Sequence, residues 1–341
     1  MPAWTTPKPP PRRPNEILHP AKYPETLVAE FLDLFTEPGD RVFDPMVGTG
    51  RTVVAAIRTG RHGYGVELTP HYTGIARERV ARERAQPSPS GAHPVGLIVQ
   101  GDATRLDGIP ELAGLQFDYV VTSPPYWSML TNPGSENQRA RRQRNLPLVY
   151  SDDARDLGNI EDYDTFLALL QSVYEQVAAK LVDGGHLTVV VKNVKRDHIL
   201  YPLAWDLVRR LCGADGKYDY VGTTLWCQDD VGMKPFAVGI HWVSNIVHTY
   251  CLHFRKRCDK LRPLRRSAAT GVGRCCQPRP AREAADGRWC RPAFAYVGEA
   301  LPESLREAVL YNIHVGVFRA SRSACQTIGT GGIVDECSVA V

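Results

Sequence analysis

The sequence has no apolar run near the roughly 20 residues needed to cross a bilayer, so no membrane span is expected. Its N-terminus is rich in proline and arginine but has no apolar stretch, so no secretory leader is expected, and the expected compartment is the cytoplasm. The nine cysteines are odd in number and include no Cys-x-x-Cys pair. The vicinal Cys275 and Cys276 have no histidine at zinc-site spacing. Neither a disulfide framework nor a structural metal is expected, and Cys212, Cys227 and Cys251 read as reduced core residues. Charge of either sign is not in large excess: the formal net charge of +4 permits a nucleic-acid partner without arguing for one.

The most informative stretch is Phe117-Asp118-Tyr119-Val120-Val121-Thr122, followed by Ser123-Pro124-Pro125-Tyr126-Trp127. The first half is apolar and β-branched, as a buried parallel strand would be. The two prolines donate no backbone hydrogen bond and have fixed φ, so they end the strand in a rigid loop with free carbonyls. In an open α/β sheet that edge binds ligands. A rigid carbonyl, a hydroxyl and a ring suit a planar base with an exocyclic amine. An ordinary strand end with a Pro-Pro turn is the plainer alternative.

Other turns point to the same edge. Val42-Phe43 reads as a strand, Val53 to Ile57 as a helix, and Asp44-Pro45-Met46-Val47-Gly48-Thr49-Gly50 lies between them. Glycines at a strand-to-helix turn let backbone approach a ligand, although this is not the dinucleotide Gly-x-Gly-x-x-Gly. Asp44 offers a carboxylate to a sulfonium or ammonium group. Glu67 closes the next short strand about 20 residues on, the Rossmann spacing for a ribose-binding acid, with a capping or solvent-facing glutamate as the alternative. Asp102 ends the third strand, where it could accept from an adenine amine. Four successive strands thus end in turns along one sheet edge.

The Thr122-Ser123-Pro124-Pro125-Tyr126-Trp127 stretch resembles motif IV of the amino-methylating DNA methyltransferases, which make N4-methylcytosine or N6-methyladenine. His19-Pro20-Ala21-Lys22-Tyr23-Pro24 resembles their motif X, Asp44 to Gly50 motif I, and Gly101-Asp102-Ala103 motif III. His248 to Lys256 looks like their last strand. The resemblance covers residues 17–256. It implies a Rossmann-like, S-adenosylmethionine-dependent α/β fold, mostly parallel, with helices on both faces and an antiparallel closing strand. It also implies that Lys22, Tyr23, Pro24, Asp44, Gly48, Thr49, Gly50, Glu67 and Asp102 surround S-adenosylmethionine.

In that reading the target base leaves the duplex. Tyr126 stacks on it, and Ser123 and the Pro124 carbonyl hold the amine, with Pro125 completing the catalytic loop. The serine form leans toward cytosine N4 over adenine N6, and the resemblance implies DNA and a cognate restriction endonuclease as partners. Trp127 is placed against DNA and the cluster Arg139, Arg141, Arg142 and Arg144 against its phosphates; a solvated loop is the alternative for the arginines. The arginines interleaved with glutamates between Thr69 and Ala85 read as a solvated face.

Target choice is assigned to residues 128–159, 229–245 or the tail. Residues 1–16 form a Pro-rich arm and 257–341 a divergent or poorly ordered tail, with a short helix from Pro302 to Tyr311. An RNA amine methyltransferase and a non-catalytic nucleic-acid-binding relative remain as alternatives.

Overall fold

The structure, a computed structural model, describes residues 4–5, 23–86, 93–127, 151–196, 199–227, 246 and 248–257. Lys22, the four arginines between 139 and 144, the 229–245 loop and the tail beyond Arg257 lie outside the described residues. So does the Pro-rich arm, apart from Trp4–Thr5.

Ten strands are described: β1 (Trp4–Thr5), β2 (Arg41–Asp44), β3 (His62–Glu67), β4 (Gly96–Gln100), β5 (Phe117–Thr122), β6 (Leu181–Val191), β7 (Val194–Arg196), β8 (Ile199–Tyr201), β9 (Tyr218–Cys227) and β10 (His248–Lys256). The helices are α1 (Glu25–Phe35), α2 (Arg51–Arg58), α3 (Pro70–Arg84), α4 (Tyr163–Lys180) and α5 (Leu203–Cys212). Eight strands form one sheet in the order β1-β9-β10-β6-β5-β2-β3-β4. β4, β3, β2, β5 and β6 run parallel. β10 is antiparallel to both neighbours, β6 and β9. The fold is therefore Rossmann-like and mostly parallel. β10 is the antiparallel closing strand, and β9, antiparallel to it, runs in the direction of the parallel set.

From β2 the chain steps outward through β3 to β4, then returns to place β5 on the other side of β2. That reversal opens a crevice between the loops after β2 and β5, the switch point where open α/β sheets bind ligands.

Both faces are covered. Tyr119, Val121, Val190 and Cys251 pack beneath α1 with Leu27, Val28, Phe31 and Leu32. Leu187, Val189 and Val191 point to the opposite layer, with Phe166, Leu170 and Val173 of α4 and Leu203 and Leu207 of α5. The alternation along β6 follows from the period of two in a strand. α4 starts where Asp162 accepts from the Thr165 amide at 2.8 Å, a cap of the kind worth about 1 kcal/mol. Gly184-Gly185 forms an irregularity within β6. Phe117 pairs with Leu181 and Tyr119 with His186, so six residues of β6 face three of β5. Gly184, at φ +74°, takes the left-handed conformation this needs.

Two elements were not expected. Trp4–Thr5 pairs in parallel with Leu225–Trp226 as an edge strand. Val194–Arg196 and Ile199–Tyr201 form a separate antiparallel pair, with Val194 opposite Tyr201, Lys195 opposite Leu200 and Arg196 opposite Ile199.

His253 of β10 is a buried polar joint. Its Nδ1 lies 2.9 Å from the Thr188 hydroxyl and its Nε2 2.9 Å from that of Thr224. Tyr119 donates to Thr188 at 2.6 Å. Burial, with a smaller contribution from His186, lowers the His253 pKa to about 4. An unfolded histidine titrates near 6.5. Protons therefore bind the unfolded chain first, and His253 is expected to cost stability as pH falls from about 6.5 to 4, by up to about 3 kcal/mol. In thermal or urea unfolding, the advantage of the wild type over His253→Phe at pH 7 should shrink steadily across that window.

Candidate active site

The turn after β2 is built around a buried carboxylate. Asp44 is fully buried. Its Oδ2 accepts from the Tyr23 hydroxyl at 3.0 Å and the Thr52 hydroxyl at 2.6 Å, and its Oδ1 from the Met46 amide at 3.0 Å. Burial raises the Asp44 pKa, and the hydrogen bonds, that of Thr52 first, oppose the rise. Asp44 thus ties the entry to α1, the turn and α2 together.

Gly50 caps α2 at φ +82°, and a Cβ there would meet the Cβ of Ala76 at 3.1 Å. Only glycine combines this conformation with so close an approach of α2 to α3. The Thr49 carbonyl accepts from Arg79 at 2.7 Å, and Arg79 also pairs with Glu25 of α1. The arginines of α3 are thus more than a solvated face: Arg79 braces the turn, and Arg77 donates to the Ile98 carbonyl at 3.1 Å.

Glu67 closes over this turn from the end of β3. Its Oε2 accepts from the Gly48 amide at 3.0 Å, and its Oε1 accepts from the Thr69 amide and hydroxyl, each at 2.9 Å. Burial raises its pKa, with a smaller push from the charge of Asp156. At the end of β4, Asp102 Oδ1 accepts from the Thr104 amide at 2.8 Å and its hydroxyl at 2.7 Å.

A cleft runs along this edge, lined by Met46, Glu67, Asp102, Ser123, Pro125, Arg155 and Asp156, among others. Three carboxylates and one guanidinium therefore share one cleft. Asp156 is held by the Gly158 amide at 2.8 Å and the Ser151 hydroxyl at 2.7 Å.

Ser123 forms the lip of the cleft. Its Oγ donates to the Val190 carbonyl at 3.0 Å, and the Tyr126 hydroxyl lies 2.9 Å away. A carbonyl can only accept, so the proton of Ser123 is committed to Val190 and Tyr126 donates to Ser123. Burial, its largest cause, raises the Tyr126 pKa well above that of a free phenol.

The expected residues therefore fall into groups. Gly48, Thr49, Gly50, Glu67, Asp102, Ser123 and Pro125 meet at the cleft or its turn. Pro124, between Ser123 and Pro125, is buried. Tyr23, Pro24 and Asp44 stand behind the turn and do not line the cleft.

Two residues sit differently from expectation. The ring of Tyr126, expected to stack on a base, is 7% exposed and packs in the core. Trp127, expected against DNA, is 3% exposed and packs on Tyr163 and Tyr201. Both rings are apolar enough for core packing to outweigh exposure. Reading by motif missed Met46, Thr104 and the Arg155-Asp156-Leu157 segment. The signal available was Asp156-x-Gly158, a side-chain-to-backbone turn at the end of an irregular stretch. Among the described residues, no group of three or more His, Cys, Asp or Glu is arranged to hold a metal.

A family profile described as DNA methylase matches residues 3–78. Over that stretch the chain is similar to DNA methylases. It is 35% identical over 69 residues to the type II methyltransferase M.BglII of Bacillus subtilis, covering 20% of this chain and 19% of that protein. It is 40% identical over 65 residues to the type II methyltransferase M2.DpnII of Streptococcus pneumoniae, covering 19% of this chain and 24% of that one. The matches thus span a quarter or less of these two relatives.

The cleft fits the cofactor of such enzymes, S-adenosylmethionine. Glu67 and Asp102 end adjacent strands, where a nucleoside can lie across them, and the excess of carboxylates suits a cation. Glu67→Gln should weaken binding of S-adenosylhomocysteine by about tenfold or more in calorimetry, because it removes a charge-assisted acceptor and loosens the Gly48 turn.

Proposed function

We propose that this chain is an S-adenosylmethionine-dependent DNA methyltransferase acting on the exocyclic amine of a base turned out of the duplex. Cytosine N4 is favoured over adenine N6, and a restriction-modification system is the favoured setting. The observation that carries this reading is the position of Ser123 and Pro125 on the lip of the acidic cleft. It is supported by the likeness of residues 3–78 to DNA methylases.

When bound, S-adenosylmethionine supplies the methyl group. The protein's part is to hold the amine beside it. Ser123 Oγ already donates to Val190 and receives from Tyr126. One lone pair remains, so Ser123 can accept one amine hydrogen but cannot act as a base, and the proton the amine loses on methylation passes to solvent. The Pro124 carbonyl takes the second hydrogen in this reading. Both contacts orient the nitrogen and draw electron density toward it, so catalysis rests on positioning and fixed dipoles. Tyr126 then acts through Ser123, polarising its hydroxyl. Glu67 and Asp102 hold the nucleoside half of the cofactor.

Labelled S-adenosylmethionine, unmethylated genomic DNA and nucleoside analysis test the reading. N4-methylcytosine is the expected product, and Ser123→Ala should lower its rate by about 10- to 100-fold while cofactor binding persists. N6-methyladenine would keep the mechanism and change the base. Methylation of RNA alone would overturn the substrate.

A further inference from the structure

Arg155, Asp156 and Leu157 line the same cleft as Glu67 and Asp102. They belong to a segment that holds its own shape. Asn159 Nδ2 donates to the Ser151 carbonyl at 2.8 Å and to the Asp153 carbonyl at 3.2 Å. The Asp156 amide also donates to the Asp153 carbonyl, at 3.0 Å. Arg155 forks onto the Asp153 carboxylate at 3.0 and 2.6 Å. Leu157 anchors the segment in the core. Asp156 is itself only 6% exposed. Its carboxylate is therefore buried and held at one place on the cleft wall.

A count of lone pairs shows what that carboxylate can do. An ionised carboxylate has about four acceptor positions, two on each oxygen. Glu67 has committed three of them. Its Oε1 takes the Thr69 amide and hydroxyl, and its Oε2 takes the Gly48 amide. One position remains, on Oε2. A ribose carries two hydroxyls on neighbouring carbons, and each needs a new acceptor when it leaves water. Glu67 can take one of these hydrogens and not both. Asp156 accepts from two donors among the described residues, the Gly158 amide on Oδ1 and the Ser151 hydroxyl on Oδ2. One lone pair stays open on each oxygen. Asp156 stands near enough for its charge to add to the rise of the Glu67 pKa. Two like charges beside one cleft are both stabilised by donors placed between them, and a vicinal diol is such a pair of donors. Asp102, at the end of β4, is left to the base.

We propose that the ribose of S-adenosylmethionine is held by two carboxylates, one hydroxyl on Glu67 and the other on Asp156. This rests on the reading of the cleft as the cofactor's site. Asp156 is then a cofactor-binding residue supplied by the chain leading to α4, not by a strand end.

Calorimetry on the full chain, with S-adenosylhomocysteine and its 2′-deoxy and 3′-deoxy forms, tests this. Asp156→Asn keeps an oxygen for the Gly158 amide and an amide group that can bond Ser151, so the turn is preserved. It removes the charge and one acceptor oxygen. Binding of S-adenosylhomocysteine should weaken by about tenfold. With one of the two deoxy forms that loss should largely vanish, because the hydroxyl that met Asp156 is gone. The loss caused by Glu67→Gln should shrink with the other deoxy form. A role for Asp156 in shaping the turn alone would weaken all three ligands equally. An equal loss for all three, no loss, or relief by the same deoxy form in both variants overturns the assignment and leaves the cofactor reading standing. A wild type that does not bind S-adenosylhomocysteine overturns both.

Discussion

The buried carboxylate of Asp44 holds the active edge in shape. It receives Tyr23 from the segment before α1, Met46 from the glycine turn and Thr52 from α2. Three segments separate in sequence meet on one group with no access to water. A buried charge left without partners costs several kcal/mol, so each donor is needed for the others to be worth having. The glycine turn is thus fixed from behind before any ligand arrives, which lowers the ordering cost of binding.

From that anchor the cleft is assembled outward. Glu67 takes the Gly48 amide and so links β3 to the turn. Asp102 and Asp156 add carboxylates from β4 and from the chain returning to α4. Burial holds the Glu67 pKa above its ordinary value, and a bound cation would favour its charged form. On the lip, the Ser123 hydroxyl is oriented by Val190 and Tyr126 and so presents a fixed dipole to the cleft.

Tyr126 and Trp127 show how the loop is supported. Their rings are taken up by the core, Tyr126 to polarise Ser123 and Trp127 to join the loop to Tyr163 and Tyr201. Aromatic residues next to a Pro-Pro loop at a sheet edge invite a reading as ligand-stacking groups. Here packing area decided otherwise, because a ring buried among rings gains more than one left in water.

The sequence by itself determined the strands that end in Asp44, Glu67, Asp102 and Ser123, because apolar β-branched runs and Gly or Pro breaks are local signals. It determined that these ends share one edge, since successive parallel strands must. Only the tertiary structure decided the direction of β9, the pairing of Trp4–Thr5 and that of Val194–Arg196 with Ile199–Tyr201. Pairing partners and strand direction are set by contacts distant in sequence, which no local period records. The same reason hid Arg155 and Asp156, which reach the cleft from a stretch without periodicity. It also hid the burial of Tyr126 and Trp127, since the residues that cover a ring are neighbours only after folding.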